Sequence, residues 1–152
     1  MANLLFYKNP VPLNKNDHKD KKISSIRRNF KFAGETNAVI LAGVEFSEAA
    51  KEYPIVFTQV GDKVVPVVLL GLRTEENLFV DDEGGWDGRY IPSFVRRYPF
   101  VLAETGETGQ QAVCIDDACE GFNDDEGEPL FAGEENTPIL QQAMDFLEED
   151  QK

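Results

Sequence analysis

A chain of 152 residues with 41% hydrophobic content has the length of about one domain and enough apolar side chain to build a core. Its longest apolar run, residues 64–72, is broken by Pro66 and Gly71 and falls well short of the roughly 20 residues that cross a bilayer as a helix, so no membrane span is expected. The net charge of −13 is unevenly laid out, with eight basic against two acidic residues in 1–34 but one against fifteen in 104–152; the acidic end would repel phosphates and compete for the basic arm, which argues against nucleic acid as a partner.

In chain order, KKISSI (21–26) and NFKF (29–32) show the short apolar alternation of strands, and AVILAG (38–43) reads as a buried strand. Ser47 is placed to cap a helix of barely two turns over EAAKEY, stopped by Pro54. IVFTQV (55–60) and KVVPVVLLGL (63–72) flank Gly61-Asp62, the composition of a two-residue β-hairpin with glycine at its first central position. Pro66 removes a ladder donor, so the second of these strands is expected at a sheet edge or with a bulge. NLFV (77–80) reads as another strand, followed by a tight DDEGG loop.

Pro92 suits the first turn of a helix that places Phe94 and Tyr98 on one face and that Pro99 ends. FVLAE and QAVCID are strands separated by the glycine turn ETGETG, which lacks the Lys-Ser/Thr of a phosphate-binding loop. From Asp116 to Asn136 the acidic, aperiodic sequence predicts a long surface loop. Thr137 and Pro138 then open an amphipathic helix with Ile139, Leu140, Ala143, Met144 and Leu147 on one side. The chain ends without a helix stop signal, so a C-terminal continuation is expected to be missing. The N-terminus has no basic region leading into an apolar stretch and cleavage site, so a cytoplasmic location is expected.

His18 and Asp20 form the H-x-D half of an iron-binding facial triad, but His18 is the one histidine of the chain and the triad needs two. No G-x-S-x-G nucleophile elbow is present. Cys114 and Cys119 enclose IDDA, a spacing that fits no common zinc pattern, and read as free or buried thiols. In DDACEGFNDDEGE, a calcium loop counted from Asp116 would place Ala118 and Gly127 where ligands are required. No catalytic residue, metal or cofactor is therefore assigned.

One stretch remains. WDGRYIPSFVRRYPF (86–100) gathers five aromatic residues and three arginines in fifteen positions. Two readings stay open: Phe94, Tyr98 and Phe100 pack inward while Arg89, Arg96 and Arg97 pair with acids, or the stretch forms a binding anchor, since Trp, Tyr and Arg dominate interface hot spots. The order NDHKD, EFSEAAKEYPIVF, PVVLLGL and NLFVDDEGGWDGRYIPSFVRRYPF, from about Asn14 to Phe100, resembles the bacterial SapC-like family, with RYIPSFVRRYPF its most specific block. The family name implies an association with a bacterial surface layer, and members are often encoded near outer-membrane receptors and flavin or cupin-type oxygenases. The motif carries over to His18, Tyr90, Pro92, Arg96, Arg97, Tyr98, Pro99 and Phe100 without a catalytic assignment.

The expectation is a single α+β domain over residues 1–152 with a mainly antiparallel sheet, a short helix after Pro92 and a C-terminal amphipathic helix. Its expected role is that of a non-enzymatic interaction or accessory protein. The candidate binding residues are Trp86, Arg89, Tyr90, Phe94, Arg96, Arg97, Tyr98 and His18, and the partner is an unidentified protein, with homo-oligomerisation left open. The alternatives are an enzyme or small-ligand-binding protein with a pocket near His18, and a structural component of a surface layer.

Overall fold

The computed structural model describes residues 5–24, 29–106 and 108–150. Its strands are β1 Pro10–Pro12, β2 Lys22–Ile23, β3 Ala38–Ile40, β4 Ile55–Val60, β5 Lys63–Leu69, β6 Phe100–Thr105, β7 Gln110–Asp116, β8 Phe122–Asn123, β9 Glu128–Pro129, β10 Phe131–Ala132 and β11 Glu135–Asn136. Three α-helices, α1 Phe46–Ala49, α2 Ser93–Arg96 and α3 Pro138–Asp150, join 3-10 turns at Lys31–Ala33 and Gly43–Glu45. Every strand pairing between these elements is antiparallel, so the fold is α+β as expected. Backbone contacts divide the chain into two compact units, one made of Met1–Arg27 with Arg97–Lys152 and the other of Arg28–Arg96.

The Arg28–Arg96 unit is built on the sheet β3-β5-β4. Its hairpin forms where glycine and β-branched runs predict it: Val60 pairs with Lys63, and Gly61 takes φ +60°, the left-handed value that the first central residue of a type II′ turn needs. Pro66 corrects one expectation, because β5 is the central strand and not an edge. Antiparallel partners alternate between bonded and non-bonded pairs. The bond from Leu69 N to Pro54 O makes Pro66 and Phe57 a non-bonded pair. The missing donor of Pro66 therefore faces the other side, where β3 is ending and Leu41 N still donates to Pro66 O at 3.0 Å. No ladder bond to β4 is lost.

Two predicted strands of this unit are turns. Asn29 Oδ1 accepts the amide of Lys31 at 3.0 Å and turns NFKF into the Lys31–Ala33 3-10 helix. Buried Asn77 accepts from Phe79 N at 2.9 Å and donates to Ala33 O at 3.0 Å, which leaves of NLFV a single bridge between Val80 and Trp86. In both cases a short polar side chain offers the backbone a local partner that competes with a strand ladder. Helix α1 starts at Phe46 behind the Gly43–Glu45 turn, so Ser47 lies inside it and does not cap it. Helix α2 runs for one turn after Pro92 and packs on β3.

The other unit joins the segment before residue 28 to the one after residue 96 through the sheet β1-β7-β6, in which Val11 pairs with Ile115. Gly106 and Gly109 take positive φ in the β6–β7 turn; Glu107 lies outside the described residues. Of KKISSI, only Lys22 and Ile23 form a strand, and Ser25 and Ile26 lie outside the described residues. Helix α3 buries Ile139, Leu140 and Leu147, with Ala143 and Met144 partly covered, against Ile23, Phe100, Ile115, Leu130 and Phe131. The expected 116–136 surface loop is corrected: β8 and β9 flank β2, and β10 and β11 form a hairpin whose Gly133 has φ +63°. Strands of two residues carry no readable alternation, yet this segment supplies the fully buried Leu130.

Candidate functional site

Within the Arg28–Arg96 unit, the 86–96 stretch is held by two glutamates of the α1 region. Glu45, 4% exposed, accepts from Ala42 N at 2.9 Å, from the Tyr90 hydroxyl at 2.6 Å and from Ser93 N at 2.7 Å. The last bond satisfies one of the amides that a helix N-terminus leaves without a partner. Glu52 accepts from the backbone amides of Arg89 at 2.8 Å and Tyr90 at 2.7 Å, and these bonds lower its pKa. The two quoted motifs EFSEAAKEY and GRYIPSF are thus one hydrogen-bonded assembly.

Aromatic packing continues it. Trp86 Nε1 donates to the Tyr53 hydroxyl at 2.9 Å, which itself donates to the Tyr90 carbonyl. Phe79 stacks on Trp86 at 5.9 Å and lies 4.7 Å from Tyr53, and Phe30 meets Trp86 edge-on at 5.6 Å. Gly88 sits so close that a Cβ there would lie 3.1 Å from both Trp86 Nε1 and Tyr53 Oη. Burial, the larger cause, pushes the Tyr53 hydroxyl up to about 12. Burial and then the Glu45 hydrogen bond push Tyr90 to about 12. Both are neutral hydrogen-bonding groups at physiological pH.

The arginines divide. Arg89 and Arg96 are exposed, Trp86 and Tyr90 are half-buried, and Phe94 is a core residue. Arg96 donates from Nε to Ile91 O at 2.7 Å and from Nη2 to the Tyr90 hydroxyl at 3.3 Å. Its guanidinium lies 5.4 Å from the Tyr90 ring centroid. Arg97 and Tyr98 belong to the other unit and are half-buried. Tyr98 falls beyond the end of α2, so it does not share a helix face with Phe94.

Tyr98 serves a different centre. Asp116, fully buried, accepts from the Tyr98 hydroxyl at 2.8 Å, from Lys8 N at 3.1 Å, from Asn9 N at 2.9 Å and from Ala118 N at 3.2 Å. Burial alone would raise its pKa, but these donors outweigh it and hold the carboxyl below its ordinary value. Tyr98 is pushed far up by burial and by its bond to Asp116, and burial raises both Cys114 and Cys119, which are free thiols. Raised thiols are poor nucleophiles at neutral pH. His18 is buried, and its Nδ1 accepts the amide of Asn14 at 3.1 Å, so that nitrogen stabilises the local turn.

Sequence reasoning picked the aromatic and arginine stretch but missed Glu45, Glu52 and Asp116. The sequence shows Asp116 as the end of a strand and the start of a loop, with no sign of its partners. Among the described residues no group of three His, Cys, Asp or Glu side chains is placed to hold a metal ion. No helix there is long and apolar enough to cross a membrane.

No curated protein and no solved structure matches the chain. A family model does, and it covers residues 13–152, extending the likeness past Phe100 through the segment that builds β7 to α3. With the match spanning nearly the whole chain and taking in the GRYIPSF assembly together with Tyr98 and Asp116, the chain belongs to the SapC family.

Proposed function

We propose that this SapC-family chain works without catalysis, as an interaction or accessory protein that binds a partner protein through the Arg28–Arg96 part of the aromatic and arginine stretch. The contact residues are Trp86, Arg89, Tyr90 and Arg96, and Phe94 of the same stretch is buried in the core. The observation that carries this reading is the fixing of the backbone under exposed arginines: Glu52 takes the amides of Arg89 and Tyr90, and Arg96 is laid on the Tyr90 ring. A surface ordered before binding loses little conformational freedom when a partner arrives, and arginine and aromatic side chains are the common anchors of interfaces.

The test is affinity capture from the native cell with the intact chain and with an Arg89→Ala, Arg96→Ala variant. Circular dichroism first establishes that both are folded. Loss of a captured protein in the variant supports the reading. Recovery of the same set by both removes the arginines from the interface. Arg97 is left unchanged because it is half-buried, and its removal would mix packing with recognition.

A further inference from the structure

The outer edge of β4 is the feature that the 86–96 surface does not account for. The Leu69–Pro54 bond and the unbroken register from Ile55↔Val68 to Val60↔Lys63 fix which way each β4 residue faces. Val56, Thr58 and Val60 bond to β5, so Ile55, Phe57 and Gln59 direct their amides and carbonyls away from it. Among the described residues no strand pairs with that side.

Such edges are ordinarily blunted by a charge, a proline, a bulge or a short length. Strand β4 has six residues, IVFTQV, with no charge and no proline, and its register shows no bulge. Phe57, Val60 and the adjacent Val64 are 64%, 56% and 68% exposed. A row of outward donors and acceptors is matched by an extended chain, which limits the occupant to a β-strand.

We propose that the occupant is β4 of a second copy, paired antiparallel about a two-fold axis near the middle of the strand. Charge leaves β4 as the strand open to such pairing. Two copies of a −13 chain repel each other, and like charges placed directly opposite across strands are destabilising. Of the four strands with six or more residues, β4 is the one without a charged side chain; β5 carries Lys63, β6 Glu104 and β7 Asp116. It is therefore the long strand along which two copies meet with no like charges in register. The seam would join two three-stranded sheets into one of six.

Size sets the strength. A six-residue seam is about 20 Å long, small beside the roughly 800 Å² per partner of a standard stable interface. The association is accordingly weak and concentration-dependent.

Sedimentation equilibrium across the micromolar to low-millimolar range, paired with residue-resolved amide exchange, tests it. The mass is expected to rise from 17.1 kDa toward twice that value. The amides of Ile55, Phe57 and Gln59 should gain protection with concentration, while those of Val56, Thr58 and Val60 are protected throughout. Gln59→Pro removes one outward donor and no β5 ladder bond, and Phe57→Lys brings two positive charges onto the seam; each should keep the chain monomeric. If either variant fails to fold, the exchange pattern of the unmodified chain still decides. A monomer at every concentration overturns the proposal, as does an association that both folded variants retain or one that leaves Ile55, Phe57 and Gln59 unprotected. Protection of these amides only when an unrelated partner is added would also overturn it, assigning the edge to a foreign strand.

Discussion

Three carboxylates, Glu45, Glu52 and Asp116, organise more of this protein than the aromatic residues that draw attention in its sequence. Asp116 is the sharpest case, with three backbone amides and one phenol converging on a fully buried side chain. Hydrogen bonds to charged groups contribute about 1.5–3 kcal/mol each before desolvation is set against them. Asp116→Asn, which keeps one acceptor and aims an amide at donors, should cost about 3 kcal/mol in urea denaturation. The pH dependence has a definite sign. The folded pKa lies below the unfolded value of about 3.9, so the contribution is fully present above that value and is lost as pH falls through the folded pKa. The gap between native and variant stability should therefore close on acidification below about pH 4; a gap that stays constant down to unfolding would show that Asp116 acts through shape alone. None of this was legible in a sequence with 28 acidic residues, because the partners at Lys8 and Asn9 are more than a hundred positions away. The exposed arginines could be named from sequence, whereas the glutamates that place them could not.

At the level of elements, the parts that could be read are those whose pattern is local and long enough to repeat. The β4–β5 hairpin combines β-branched runs with a glycine at the turn, and α3 shows three turns of apolar spacing; both formed where expected. The misses share a cause. NFKF and NLFV have strand-like composition, but Asn29 and Asn77 bend them with side-chain hydrogen bonds. The strands β8 to β11 are two residues each, too short for a period of two to show. The α1–α2 assembly makes a prediction of its own. Glu45→Ala leaves Ala42 N, Ser93 N and the Tyr90 hydroxyl without their acceptor, and should destabilise the Arg28–Arg96 unit by about 3 kcal/mol. Trp86, the one tryptophan of the chain, reports on that unit by fluorescence in denaturant. An unshifted Trp86 transition would mean that water replaces the carboxylate at little cost.

For the molecule as a whole, the two units differ in how they use the chain. Arg28–Arg96 is continuous in sequence, while the other unit is assembled from segments on either side of it. A fragment of residues 28–96 should fold alone, with a cooperative transition and Trp86 emission like that of the intact chain; a broad transition would show that it depends on the remainder. The two-fold β4 seam, being isologous, closes at two copies and so would not by itself extend into an array. The discontinuous unit has a further consequence on the ribosome. Val11 pairs with Ile115, so β1 emerges about a hundred residues before its partner, a delay of about 5–20 s at ordinary elongation rates. The continuous unit can complete its sheet during that interval, while β1 waits unpaired for β7 to be synthesised. Vectorial synthesis thus leaves β1, which precedes the continuous unit in the chain, to be secured after it.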